Sequence, residues 1–182
     1  MNEAKMVAAL CVKPRSVYFS LPNVVCYDER RDVRSFAGGM PVIAHPPCRA
    51  WSAFCAHQAK PLPGEKELGP LCVGWLRKCG GVLEHPAHSR LFEFCGLPLP
   101  GNQPSEIWAV EVLQTWWGGH TGTRKRTWLV FFGIPPKSIR LPLALLADRD
   151  EKRLWQIMRR SSRSETCAEM AMWLVDAARK AR

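Results

Sequence analysis

No two of the eight cysteines in this 182-residue chain stand in C-x-x-C spacing, which removes the usual signature of thiol redox centres and zinc sites. Most of them sit in apolar periodic segments, as reduced cysteines do. Cys48, Cys55 and His57 are close in sequence, but no second ligand pair follows at usable spacing, so no metal centre is expected. No apolar run approaches the roughly 20 residues of a membrane helix. The first residues show neither the apolar stretch nor the cleavage pattern of a signal peptide. No membrane partner and a cytoplasmic location are therefore expected. Internal repeats and low-complexity segments are also missing. Acid is scarce, with 16 Asp and Glu against 26 Lys and Arg, leaving a net charge of +10.

What is present points to one domain. Nearly half the residues are apolar (47%), so disorder is not the class, and the length supports one real core. Basic residues are dense at Arg124-Lys125-Arg126, at Arg159-Arg160 with Arg163, and at Arg179-Lys180-Arg182. Phosphate contact is the functional reading of such clusters, and a nucleic-acid partner follows from it. A solvated, solubilising surface is the alternative.

Along the chain, apolar runs over 6–12 and 24–27 read as buried strands, with a short helix over 17–21 between them. The second strand ends in Asp28, where an acid either accepts a ribose hydroxyl or simply sits in solvent. Gly38-Gly39 leads into Val42-Ile43-Ala44-His45-Pro46-Pro47-Cys48-Arg49-Ala50-Trp51-Ser52. The apolar triplet ends a strand, and two prolines stop the ladder because neither has an N–H to donate. Cys48 on that stiff loop is either a nucleophile or a structural cysteine. Leu68, Leu71, Cys72, Trp75, Leu76 and Cys79 recur with helical period, and Gly80-Gly81 closes the helix. Val82-Leu83 begins a further strand ending in Glu84-His85-Pro86. Burial there is expected to raise the Glu84 pKa toward a proton donor's range, unless the residue is capping or salt-bridged. Strands follow over 108–113 and 127–132, around an aromatic turn containing Gln114, Trp116-Trp117 and His120. Cations beside exposed aromatics there suit base edges or phosphates. Helices are expected over 148–159 and 167–181, with Thr166 and Glu169 forming a capping box for the last.

Three stretches in order, AHPPCRAWS, GGVLEHPAHSRLF and GTRKRTWLVFFG, together resemble the catalytic core of DNA cytosine-5 methyltransferases, most closely a short, phage-type branch. Pro47-Cys48 with Ser52 is similar to that family's nucleophile loop. Glu84 with Pro86 is similar to its Glu-Asn-Val or Glu-Asn-Pro strand end, and Arg124, Arg126 and Thr127 to its Arg-x-Arg entry to a strand. The resemblance implies a Rossmann-like α/β fold, with a mostly parallel sheet and helices on both faces. A bacterial or phage-infected cell is the setting it implies.

The chemistry explains why such residues converge. A thiolate adding to carbon 6 of cytosine makes carbon 5 nucleophilic enough to take a methyl group. An acid at ring nitrogen 3 and a cation at the position-2 oxygen stabilise the adduct. The resemblance thus implies Cys48 as nucleophile, Glu84 as acid, and Arg126 or Arg124 as cation. It implies S-adenosyl-L-methionine, or a carboxylated derivative suited to Lys13 and Arg15, held near Cys11, Asp28, Asp32 and Pro46. Ser52, Arg49, His85, Gln114, Lys125 and Thr127 would meet the substrate, a cytosine flipped from double-stranded DNA.

The chain also departs from the family. No glycine stands at Ala9-Leu10-Cys11-Val12-Lys13-Pro14, where the family has Phe-x-Gly-x-Gly. His85 replaces the usual Asn, and Gly122 stands where many members have Gln. The segment between the first strand and Cys48 is short by about one helix. No target-recognition domain fits after Thr127, so DNA selectivity implies a homo-oligomer or an accessory specificity protein. Two alternatives remain open: an inactive DNA-binding relative that masks sites from restriction, and an enzyme acting on a free pyrimidine nucleotide.

Overall fold

A computed structural model describes residues 4–52, 60–102, 105–118, 125–142 and 166–182. The helix expected over 148–159, with Arg159, Arg160 and Arg163, lies outside the described residues. So do Cys55, His57, His120, Gly122 and Arg124.

The architecture is α/β, built on a six-stranded mixed sheet in the order β2-β1-β3-β4-β6-β5. The strands are β1 (Val7–Leu10), β2 (Val24–Tyr27), β3 (Val42–Ala44), β4 (Gly81–Pro86), β5 (Ile107–Leu113) and β6 (Arg126–Phe132). The pairings β1–β2, β1–β3 and β3–β4 are parallel. Those of β6 with β4 and β5 are antiparallel, so β6 alone is reversed. The short apolar runs of β1 and β3 suit strands covered on both sides, and every residue of both is buried.

The two faces are filled by alternate residues, as the pleat requires. Ala8, Leu10, Val42, Ala44, Leu83, Val130 and Phe132 pack toward α1 (Leu68–Cys79). Val7, Ala9, Ile43, Val82, Leu129 and Phe131 pack toward the last helix, Ala168–Ala178. Helices thus cover both faces. Cys72 and Leu76 of α1 are fully buried, as their spacing requires. A short α2 (Arg90–Phe94), capped by the Ser89 hydroxyl on the Leu91 amide, is an element the sequence reading did not include. The last helix is here α3. It begins after Cys167, which makes no side-chain cap bond, so the expected Thr166–Glu169 capping box does not form. Among the described residues no helix is long and apolar enough to cross a membrane.

The connections explain the shortness of the N-terminal half. Residues 11–23 and 28–41 carry only the 3-10 turns Val17–Ser20 and Val33–Ser35 where full crossover helices would be longer. The chain leaves β1 for β2 on one side and returns to β3 on the other, placing a switch point at the carboxyl ends of β1 and β3. Because β6 is reversed, its first residues reach the same edge: Thr127 lies opposite Pro86, and Arg126 opposite Leu113.

Gly81 permits the α1–β4 turn to press against β3. Its φ is 130°, and a Cβ there would fall 1.9 Å from the Val42 carbonyl oxygen. Gly74, inside α1, has nothing within 4 Å of its missing Cβ. Gly81→Ala is therefore expected to cost more than about 3 kcal/mol. Gly74→Ala should gain about 0.5–1 kcal/mol from helix propensity. Urea unfolding of the two variants checks this pair, and equal midpoints would contradict the close approach.

Candidate functional site

The edge formed by the carboxyl ends of β1 to β5 and the start of β6 gathers most of the residues singled out in the sequence. Cys48 follows β3 and precedes a 3-10 turn, Arg49–Trp51. Trp51 fixes that turn. It is 3% exposed, and its ring packs where Gly69 of α1 leaves room, since a Cβ there would meet the indole nitrogen at 2.8 Å. Arg49 reaches back to the buried Glu65 with Nε and Nη2 each 2.9 Å from Oε1. Its guanidinium thus clasps the segment beyond the Cys48 loop, an engagement other than the expected DNA contact.

Glu84 lies one strand over, 7% exposed, with a full set of partners. His45 Nδ1 is 2.9 Å from Oε2, and Gln114 donates from Nε2 to Oε1 at 3.1 Å. The same Gln114 nitrogen lies 3.2 Å from the Thr127 hydroxyl. His45 Nε2 is in turn 2.9 Å from the Tyr18 hydroxyl. Burial alone pushes the Glu84 carboxyl up, but the His45 hydrogen bond and the charge of Lys125 outweigh it and hold it at about 2. This overturns the expected direction: a desolvated carboxylate rises only when left unpaired. Glu84 is ionised at neutral pH.

Cys48 is exposed as a residue, yet atoms packed round its sulfur desolvate the thiol and push its pKa up. The negative Glu84 adds to that rise, and Lys125 opposes it. Cys48, Glu84 and Lys125 are thus close enough to act on one another's charge. Burial pushes His85, 1% exposed, down to about 4, so its ring is neutral. Both its ring nitrogens lack a hydrogen-bond partner, although the Pro46 carbonyl is near enough to favour the protonated form. The Gln114 carbonyl oxygen is buried and also unpartnered. It is an unused acceptor in the Gln114 amide that donates to Glu84.

Other residues are spent elsewhere. Arg126, expected as the cation, makes paired bonds of 2.8 and 2.9 Å to Glu111 of β5, which also accepts from the Trp128 indole at 2.8 Å. Alternation along β6 puts Thr127 on the α3 face with Glu84, and Arg126 on the α1 face. A cavity of about 360 Å3 lies on this Arg126 side, lined by Glu111, Val112, Leu113 and Trp116. Trp117, expected to be exposed, is 7% exposed and packs edge-on against Trp173 of α3 at 5.0 Å. Asp32 caps its own turn, accepting the Arg34 amide at 2.7 Å and its guanidinium at 2.8 Å. Asp28 ends β2 beside the end of β1, and its Oδ1 accepts the Arg30 and Arg31 amides at 2.9 and 3.0 Å. Cys11 follows β1 in the left-handed region, φ 58°, with its sulfur 3.6 Å from that of Cys72. Pro46 is buried, and Ser52 is half-buried after the Trp51 turn.

Sequence reasoning gave no role to Tyr18 or His45. The signal for His45 was its place between a buried strand and Pro46-Pro47; Tyr18 carried none. Comparison with protein-family models, curated protein sequences and solved structures finds no match.

The pKa shifts fix a pH dependence. His85 titrates near 4 when folded and near 6.5 ordinarily, so between these values the unfolded chain binds a proton that the folded chain refuses. Stability therefore falls as pH drops through that window. Glu84, about 2 when folded against 4.5 ordinarily, extends the loss below pH 4.5 in the same direction. Unfolding free energies from urea titrations between pH 7 and 4.5 should decline, by up to about 3 kcal/mol. His85→Leu should flatten the upper part of that decline, and an unchanged slope would contradict a buried neutral His85.

Proposed function

We propose that this chain is a trimmed relative of the DNA cytosine-5 methyltransferases, a base-modifying transferase in which Cys48 adds to carbon 6 of a flipped cytosine. The observation that carries the reading is the convergence of Cys48, Glu84 and Lys125 at the carboxyl-end edge of adjoining parallel strands. The strand order, with a reversed β6 between β4 and β5, supports a Rossmann-like methyltransferase topology.

In this reading Glu84 and the Gln114 carbonyl oxygen receive the base's Watson–Crick edge, where a ring nitrogen and an amino group lie side by side. Lys125, rather than Arg126, is the cation that offsets charge on the ring, because Arg126 is neutralised by Glu111 on the opposite face. Nitrogen 3 offers only a lone pair, so Glu84 takes up a proton from solvent as the base seats, and this removes the negative charge that raises Cys48. The thiol then ionises more readily as substrate seats, so nucleophile and acid are coupled.

The donor pocket fits S-adenosyl-L-methionine at its nucleoside end. Asp28 at the end of β2 presents an oxygen, Oδ2, beyond the two bonds on Oδ1, which suits a ribose hydroxyl. Cys11 takes the left-handed turn usually given to glycine, and Lys13 and Arg15 follow it as cations for a carboxylate. When bound, the cofactor supplies an electrophilic methyl group for carbon 5. Asp32, spent on capping Arg34, is not assigned to it.

Cytosine-containing duplex DNA incubated with the full chain and S-adenosyl-L-methionine should gain the mass of one methyl group per modified cytosine. Cys48→Ala should abolish the gain. Lys125→Met should slow it about 100-fold, and Arg126→Met should slow it much less. Equal losses in the two cation variants would overturn the role of Lys125. A gain on dCMP and none on DNA would select the free-nucleotide reading. DNA binding retained by Cys48→Ala, with no gain in the wild type, would select the inactive DNA-binding reading.

A further inference from the structure

The sequence holds no C-x-x-C pair, yet the fold makes a dithiol from two cysteines 61 residues apart. Cys11 follows the end of β1, and Cys72 faces it from the second turn of α1, with the two sulfurs 3.6 Å apart. An unusual stretch of backbone makes this contact. Successive side chains of β1 alternate, Ala9 toward α3 and Leu10 toward α1. Regular alternation would send Cys11 back toward α3. Its φ of 58° breaks the pattern, so Cys11 packs with Leu10 on the α1 side, and Val12 returns to the α3 side. A residue with a β-carbon takes that conformation only at a cost. Glycine would take it without strain but would bring no sulfur to Cys72.

The two thiols differ in access. Cys72 is fully buried, and its hydrogen bond with Cys11, together with burial, pushes its pKa well above the ordinary value. It therefore keeps its proton and donates toward the Cys11 sulfur. Cys11 is half-buried at the carboxyl-end edge of the sheet, so a small oxidant meets it first.

We propose that Cys11 and Cys72 form an oxidisable dithiol, a modification site for hydrogen peroxide that closes into a disulfide within the native fold. A disulfide sets its sulfurs about 2.05 Å apart, so closure takes up roughly 1.5 Å between side chains already in contact. The Cys11 thiolate attacks one peroxide oxygen and the O–O bond breaks. Cys11 becomes a sulfenic acid, and the departing hydroxide joins the proton that Cys11 gave up, forming water. The Cys72 sulfur then attacks the Cys11 sulfur and the S–O bond breaks. The second hydroxide takes the Cys72 proton and leaves as water. Two thiols lose two electrons in all, and one peroxide is reduced to two waters. The bond ties the end of β1 to α1. No step uses Cys48, Glu84 or a nucleic acid, so the inference stands apart from the cytosine reading.

The test treats the reduced, folded full chain with hydrogen peroxide, unfolds it in iodoacetamide and maps the tryptic peptides without reductant. The peptides Met6–Arg15 and Glu67–Arg77 each hold one cysteine. They should appear joined, lighter than their sum by two hydrogen atoms, and dithiothreitol should separate them. In Cys72→Ala, Cys11 should stop at the sulfenic acid and be trapped by dimedone. Cys48→Ala should give the joined peptide in the same yield, because Cys11 meets the peroxide directly. Recovery of Cys11 and Cys72 as alkylated thiols, at peroxide levels that oxidise Cys48, would overturn the proposal. So would Cys11 joined mainly to another cysteine. Should Cys72→Ala not fold, the wild-type map decides.

Discussion

A carboxylate buried at the end of a central strand has to be paired, and the pairing of Glu84 organises this edge of the sheet. An ionised carboxylate left alone there would cost several kcal/mol or take up a proton. His45, Gln114 and the charge of Lys125 prevent both outcomes. Each comes from a different segment, so the bond set also ties β3, the β5–β6 end and β4 into one constellation. The same charge reaches Cys48 and raises it. At rest Glu84 is thus ionised and the Cys48 thiol is not. In the reading proposed above, substrate inverts the pair as Glu84 takes up a proton.

The sheet topology makes that constellation possible. Five strands point their carboxyl ends to one edge, and the reversed β6 brings its amino end there. A ladder residue placed at one of these ends is held by the sheet at the edge where open α/β folds gather their functional groups. Short 3-10 connections in the N-terminal half leave Cys11 and Asp28 at the same edge with little chain over them. The site is therefore assembled from strand ends and tight turns.

Most of the fold was legible because its signals are local. Continuous apolar runs over 6–12, 24–27 and 42–44 marked β1, β2 and β3, the first extending past its strand at both ends, and the helical recurrence from Leu68 to Cys79 marked α1 to the residue. Elements with weak local signal escaped, such as the five-residue α2. The insertion of β6 between β4 and β5 depends on long-range pairing that no local pattern carries. The site was half legible for the same reason. Cys48, Glu84 and Thr127 were found from motif order and Gln114 from the aromatic turn that holds it, and the structure brings them to one edge. The misassignments are all matters of partner. Arg126 has a motif position but spends its charge on Glu111, and Arg49 on Glu65. Glu84 has the right place and the opposite pKa shift, because His45 stands across a strand gap that sequence spacing does not display.

The central claim is that the Cys48 sulfur bonds to carbon 6 of cytosine. Duplex DNA bearing 5-fluorocytosine tests it most directly, since fluorine at carbon 5 cannot leave as a proton does and the covalent adduct persists. With S-adenosyl-L-methionine present, mass spectrometry of the digested full chain should find the nucleotide attached to the peptide containing Cys48, at one per chain. No adduct under conditions where the protein binds that DNA, or attachment at another cysteine, would contradict the account.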